Sequence, residues 1–200
     1  LELGAADRVR LGTIPMGTGK DVAKCLGIGR PAAALRAIVA DAERRLDVGR
    51  VECRDEAGDP RVRYFLVEMS AGWIPEIAHS VPQRLKRFGD TAPYVITTVA
   101  KLAGPMSRPF DVEIDGRAYH ADYNSVSVHN MEYWGGDLQA VPGASPGDGL
   151  LDAVRWSPMR RTAIVKGLRA QRNGGTHLDM DGIDHHPARE VTLDSPKRTE

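Results

Sequence analysis

The periodicity of the chain changes near residue 48, and this change most limits what the chain can fold into. Before it, apolar residues recur at helical spacing: in PAAALRAIVADAERRLD, residues 31–47, Leu35, Ile38, Val39, Ala42 and Leu46 fall on one face, and Pro31 suits a first helical turn. After it, VGRVECRDEAGDPRVRYFLVEMSAG alternates with a period of two, as a half-buried hairpin does, with its turn near Gly58, Asp59 and Pro60. FDVEIDGRAYHADYNSVSVHN continues the alternation around a tight Asp115-Gly116 turn, and LLDAVRW and REVTLD supply further strands. The pattern therefore predicts a small α/β portion over residues 1–48 and a larger, mostly antiparallel β portion with helices over 49–200. Residues 83–104 suggest two short helices split near Gly89, and a last helix is expected over Met159 to Arg172.

Within the α/β portion, Val9 to Ile14 suggest a strand closed by Pro15, followed by glycines and the helical DVAKCLG. The turn between them, TIPMGTGK, poses the first chemical question. A phosphate loop of the Walker type needs a glycine where Ile14 stands and a hydroxyl where Asp21 stands, so it is excluded. A dinucleotide fingerprint fails because Val22 occupies the place of its third glycine. What remains is a strand, a turn containing Gly17 and Gly19, and a helix start that Thr18 or Asp21 could cap. Amides at such a helix start face an anion in some proteins and nothing in others.

Charge removes other classes. Lys plus Arg and Asp plus Glu number 27 each, so no global field draws the chain to nucleic acid, and RLKR at 84–87 and MRR at 159–161 are the densest basic clusters. Cys25 and Cys53 match no metal spacing and are too few for a disulfide framework, which suits a reducing, cytoplasmic setting. No apolar run reaches the ~18 residues of a spanning helix. The crowd of His177, Asp179, Asp181, Asp184, His185 and His186 lacks the order of a calcium loop and suggests a polar loop or edge strand. Lone His79, His120 and His129 suit surface or half-buried positions, and Trp73, Trp134 and Trp156 suit packing. Ser125 and Ser127 alternate in a strand without the glycine elbow of a hydrolase.

Two motifs in order carry a resemblance. Pro15, Gly17, Thr18, Asp21, Ala23 and Lys24 follow a Pro-x-Gly-Thr-x-Asn-Asp-x-Ala-Arg pattern, and Gly135, Gly136, Pro142, Ala144 and Asp148 to Asp152 follow a glycine stretch and a Pro-x-Ala-x-x-Asp-Asp-Gly-Leu-Leu-Asp run. The chain thereby resembles the diacylglycerol, sphingosine and ceramide kinases, especially their bacterial soluble members, and RLDVGRV, LKRFGDTAPYVITTVAKL and the late Gly-Thr-His extend the likeness over nearly all 200 residues.

The resemblance implies a two-domain lipid kinase architecture: an incomplete α/β nucleotide-binding portion followed by a β-sandwich-like lipid-binding portion. It implies ATP held at Gly17, Thr18, Gly19 and Asp21, and Mg2+ held by the Asp148 carboxylate beside the carbonyls of Ser145 and Leu150. It implies a diacylglycerol-like or sphingoid-like acceptor met transiently at the inner membrane face. The family's Gly-Gly-Asp-Gly-Thr loop is expected upstream of residue 1, and the base-bearing Asp-Gly-Glu segment beyond residue 200, so the chain is expected to be a fragment. Lys20, Asp137 and Gly147 stand where the pattern has Asn, Gly and Asp. An enzyme like the NAD kinases and a non-catalytic lipid-binding module remain the alternatives.

Overall fold

The computed structural model describes residues 10–17, 19–55, 57–80, 97, 100–101, 104–136 and 138–195. Its frame is a four-stranded antiparallel sheet with order β10-β9-β6-β3, built from β3 (Glu68–Gly72), β6 (Ser125–His129), β9 (Leu151–Trp156) and β10 (Ile183–Ala188). The β6 strand lies inside the sheet and is buried at all five positions, so both of its faces must be covered. One face, carrying Val126, Ala153 and Ala188, packs on Phe110, Val112, Ile114 and Tyr123 of a three-stranded sheet with order β11-β4-β5. That second sheet comprises β4 (Arg108–Ile114), β5 (Arg117–Tyr123) and β11 (Val191–Asp194), joined at the left-handed Asp115 and Gly116 that the alternation predicts.

The other face of the four-stranded sheet is covered by helices and a small hairpin. The α3 helix (Trp73–Ser80), the helix Arg161–Arg172, here α4, and the hairpin of β7 (Tyr133–Trp134) and β8 (Leu138–Gln139) bring Ile74, Leu168, Ala140 and Val141 against Val154, Trp156 and Ile183, while Ile164 packs with Trp73 and Ile77. Gly167 lets α4 lie on the Trp156 indole: a Cβ there would stand 2.8 Å from the ring. The antiparallel hairpin β1 (Gly49–Arg54) and β2 (Pro60–Phe65) stands apart, joined by the expected turn. Two sheets face to face with helices outside one of them make the mostly antiparallel β portion that the pattern predicts, in the β-sandwich-like form that the resemblance implies.

The front of the chain departs from expectation. Residues 10–14 form no strand, because no strand lies beside them among the described residues to take up their ladder hydrogen bonds. The short α1 (Asp21–Cys25) and α2 (Pro31–Val39) form, but α2 stops well before Asp47. Asp41 adopts φ 50, and Ala42 N–H closes back on the Ala37 carbonyl at 2.9 Å. Leu35 and Ile38, chosen as a buried stripe by their spacing, are each 51% exposed. The pair of helices expected over 83–104 lies mostly outside the described residues, as does RLKR.

The histidines also correct the sequence reading. His129 and His177 are interior groups, not surface ones. Burial holds the His177 imidazole down to about 4 and that of His129 to about 3, although Asp179 and Asp152 respectively oppose the shift and His185 adds to it. His185 and His186 do diverge along β10, the first meeting Asp152 at 2.7 Å and the second Arg155 at 3.1 Å. Arg155 is buried between the sheets, 3.7 Å above the Tyr119 ring and 3.1 Å from the Tyr123 hydroxyl.

Both buried imidazoles are neutral in the folded protein and take protons on unfolding below their ordinary value of 6.5. The unfolded state then binds more protons, so their contribution is fully present above pH 6.5 and is lost as pH falls toward about 4 and about 3. The melting temperature is expected to fall between pH 6.5 and 4.5, and equal melting curves at pH 7 and pH 5 would contradict this. Gly167→Ala is expected to cost about 1–3 kcal/mol in urea unfolding, through overpacking on Trp156.

Candidate functional site

The two motifs, over 100 residues apart in sequence, meet through one carboxylate. Asp21 opens α1, and its two oxygens accept the backbone N–H of Gly136 at 3.1 and 3.3 Å. Gly135 and Gly136 take φ 58 and 99, values that leave the turn to glycine and turn the Gly136 amide toward α1. The contact widens on both sides. Lys24 Nζ lies 3.9 Å over the Tyr133 ring, and Cys25, its thiol pushed up by burial, lies by the backbone amides of Tyr133 and Glu132. The glycine-rich turn at 15–20 is thus carried into the β portion on a five-residue helix held by the β7–β8 hairpin.

Asp21 does not cap α1, as one reading of the sequence had it. The N-cap is Lys20, which adopts φ 58 and ψ 19 and makes no side-chain capping bond. A lysine in the left-handed region is strained, and the position is the one where the pattern has Asn, a residue that tolerates that region. The substitution noted in the sequence and the strained backbone therefore coincide. Gly19 packs closely: a Cβ there would lie 3.2 Å from Asp21 Oδ2 and 4.0 Å from the Gly136 nitrogen. Gly17 has open space around it, and Thr18 lies outside the described residues, as does Asp137.

The second cluster surrounds the turn before β9. Asp148 is exposed, and its Oδ1 accepts the Leu150 N–H at 3.0 Å, while the Ser145 carbonyl accepts the Gly147 N–H at 2.8 Å. A further carboxylate joins them that sequence reasoning did not single out: Asp47 Oδ2 accepts the Gly149 N–H at 2.8 Å. Asp47 is fixed by its backbone, since its N–H donates to the Pro146 carbonyl at 3.0 Å and its own carbonyl accepts Asn130 Nδ2 at 2.9 Å. Its place in RLDVGRV, at the periodicity change, was the available signal. At Gly147, where the pattern has Asp, a Cβ would point to within 3.6 Å of the Arg45 carbonyl and 3.9 Å of the Arg44 guanidinium.

The Asp148 carboxylate and the Ser145 carbonyl in this turn, with the Asp47 carboxylate bonded to it, are hard oxygen donors. Among the described residues no group of three or more His, Cys, Asp or Glu has metal-holding geometry.

Comparison with known proteins finds relatives for both parts of the chain. Residues 2–51 match the family model of the diacylglycerol kinase catalytic domain, and residues 69–199 match that of the YegS C-terminal NAD kinase beta sandwich-like domain. A diacylglycerol kinase of Mycobacterium tuberculosis is 27% identical over 199 residues, 98% of this chain and 62% of the relative's length. One from Bacillus subtilis is 29% identical over 191 residues, covering 94% and 59%. A crystal structure of a diacylglycerol kinase from Bacillus anthracis superposes with a TM-score of 0.63 at 22% identity, over 94% of this chain and 58% of that one. The chain thus spans about 60% of the length of the relatives it matches.

Lys20→Asn is expected to stabilise the protein by about 1 kcal/mol in urea unfolding, by removing a left-handed lysine. Asp21→Ala, which leaves the Gly136 amide without its charged acceptor, is expected to cost about 2 kcal/mol. No gain from Lys20→Asn would mean that the left-handed lysine carries no strain.

Proposed function

This chain belongs to the diacylglycerol kinase family, with a YegS-type sandwich domain, and from that membership we propose that it takes part in ATP-dependent transfer of the γ-phosphoryl group to a lipid hydroxyl. The observation that carries the reading is the bond from Gly136 to Asp21, because it sets the Gly17–Lys20 turn against the glycine stretch of the β portion. Both Asp21 oxygens lie within hydrogen-bond reach of the Gly136 amide, so the carboxylate keeps its charge and is oriented toward the β portion. In this reading Gly17, Thr18 and Gly19 lie along the phosphates, and the absence of a Cβ at Gly17, with open space around it, lets a ligand approach the backbone closely.

Asp148, with the carbonyls of Ser145 and Leu150 and now Asp47 beside them, would hold Mg2+. The ion would supply neutralisation of phosphate oxygen charge. Asp47 contributes by orientation: bound at once to the Gly149 amide and, through its backbone, to Pro146 and Asn130, it fixes the turn that carries Asp148. Phosphoryl transfer depends on such positioning more than on covalent help from the protein. The acceptor is a diacylglycerol-like or sphingoid-like lipid, met transiently at a bilayer surface. No helix among the described residues is long and apolar enough to cross a membrane.

The test is incubation of the native gene product with γ-labelled ATP and a panel of diacylglycerol, sphingoid base and nicotinamide dinucleotide. Labelled lipid, dependent on Mg2+, is the expected outcome. Asp148→Asn should lower kcat/KM by about 10- to 100-fold, the rate equivalent of losing ~1.5–3 kcal/mol of charged contact. Label on the dinucleotide alone would replace the lipid reading by that of an NAD kinase, and label on neither would favour a binding module.

A further inference from the structure

Seven buried side-chain polar atoms among the described residues have no hydrogen-bond partner, and five of them belong to residues around one small cavity. They are His129 Nδ1, Trp134 Nε1, Gln171 Oε1 and both ring nitrogens of His177. The cavity has room for one water molecule, about 10 Å3, and lies between the four-stranded sheet, α4, the β7–β8 hairpin and the 3-10 turn Thr176–Asp179. We propose that the Gly175-Thr176-His177 turn, acting through one ordered water in this cavity, fixes the β7–β8 hairpin and thereby positions Gly136 against Asp21.

The chemistry of the orphaned atoms defines the guest. An indole N–H only donates, an amide oxygen only accepts, and each neutral imidazole can do one of each. A water has two donors and two acceptors, so one molecule can serve four of the five atoms, Trp134 Nε1, Gln171 Oε1, His129 Nδ1 and one nitrogen of His177. Each of these groups left dry would carry the cost of a lost hydrogen bond, which makes an empty cavity untenable. A cationic guest is disfavoured because burial opposes charge there: the imidazoles are held neutral, and Glu68 on the cavity wall has its carboxyl pushed up.

The turn is pressed onto the hairpin as well as wired to it. A Cβ on Gly175 would stand 2.2 Å from Pro142 Cγ and 3.2 Å from the Gln139 carbonyl, so only glycine permits the approach. His177, wholly buried, stacks on Trp156 with ring centroids 5.7 Å apart, and the backbone of Gly175 and Ala140 lies near enough to oppose the effect of burial on its ring without closing a hydrogen bond of normal geometry. On the far side, Ala140 N–H donates to the Glu132 carbonyl at 2.9 Å, closing the hairpin into one unit, and Trp134 precedes Gly136 by two residues. His177 is therefore a positioning residue, separated from Asp21 by the hairpin it holds.

The consequence for nucleotide binding rests on the kinase reading, whereas the coupling of turn to hairpin does not. The experiment compares the native protein with His177→Leu, of similar size but without a polar atom, and His177→Gln, which keeps one. Amide hydrogen exchange over residues 133–140 is expected to quicken about tenfold in His177→Leu while β4–β5 stays protected, and to return most of the way in His177→Gln. The KM for ATP should rise by a similar factor in the Leu variant with kcat little changed. Unchanged hairpin exchange, an increase shared equally by β4–β5, an unmoved KM, or a dry cavity in a high-resolution crystal structure would each overturn the proposal. If wild-type protein labels no lipid, the kinase reading fails alone, since exchange and the ordered water still report on the coupling.

Discussion

The β6 strand, Ser125–His129, is enclosed on both faces, and the rest of the β portion follows from how its five side chains divide. Val126 and Val128 go one way, and Ser125, Ser127 and His129 the other. A two-faced buried strand ordinarily offers apolar groups to both sides. Here the polar side requires partners, and the structure meets part of that need internally: Ser125 Oγ bonds the Ala71 carbonyl at 3.0 Å, and Ser127 Oγ meets His129 Nε2 at 2.9 Å. What is left over faces the cavity beneath α4 and the small hairpin. The sheet-facing core and the helix-facing layer thus differ in chemistry because one strand alternates.

The hairpin that roofs this polar side also receives the front of the chain. Its Trp134 borders the interior, and its Gly136 amide meets Asp21, so a single short element transmits position from the sandwich to the glycine-rich turn. The Asp148 turn is fixed separately, through Asp47 and Asn130, to the end of β6 and the start of β9. Both clusters therefore take their geometry from the same central strands. That arrangement explains how a five-residue helix with a strained lysine cap persists: its stability comes from docking, since a helix of that length has little of its own.

Much of the sandwich was legible because its signals are local. Asp115-Gly116 dictates a tight turn whatever surrounds it, and the alternation of FDVEIDG survives in a buried pattern of Phe110, Val112 and Ile114. Other features depend on contacts that sequence does not display. Helix α3 follows Gly72 directly, where φ of 100 and the bond from Trp73 N–H to the Asn124 carbonyl turn the strand into a helix, and period-two alternation gives no warning of it. Residues 10–14 carry strand-like residues, but a strand needs a neighbour, and the described chain offers none. The site divides the same way. Asp21 and Asp148 stand in motifs, whereas Asp47 acquires its role only when the fold brings residue 149 beside it.

Histidine shows most clearly why residue type alone misleads. A polar run such as GTHLDMDGIDHHP suggests a loop or edge strand, and β10, at the edge of its sheet, carries His185 and His186 in that way. His177 differs only in what precedes it: Gly175, free of a Cβ, lets the chain press against Pro142 and carry the imidazole under the Trp156 indole. A glycine two residues upstream therefore decides whether the ring is solvated or enclosed. Once enclosed, it must be neutral and must find hydrogen bonds, and the nearest unsatisfied partners are those of β6, α4 and the hairpin. An interior polar network in this fold is thus the outcome of a steric permission at Gly175 acting together with the alternation of β6.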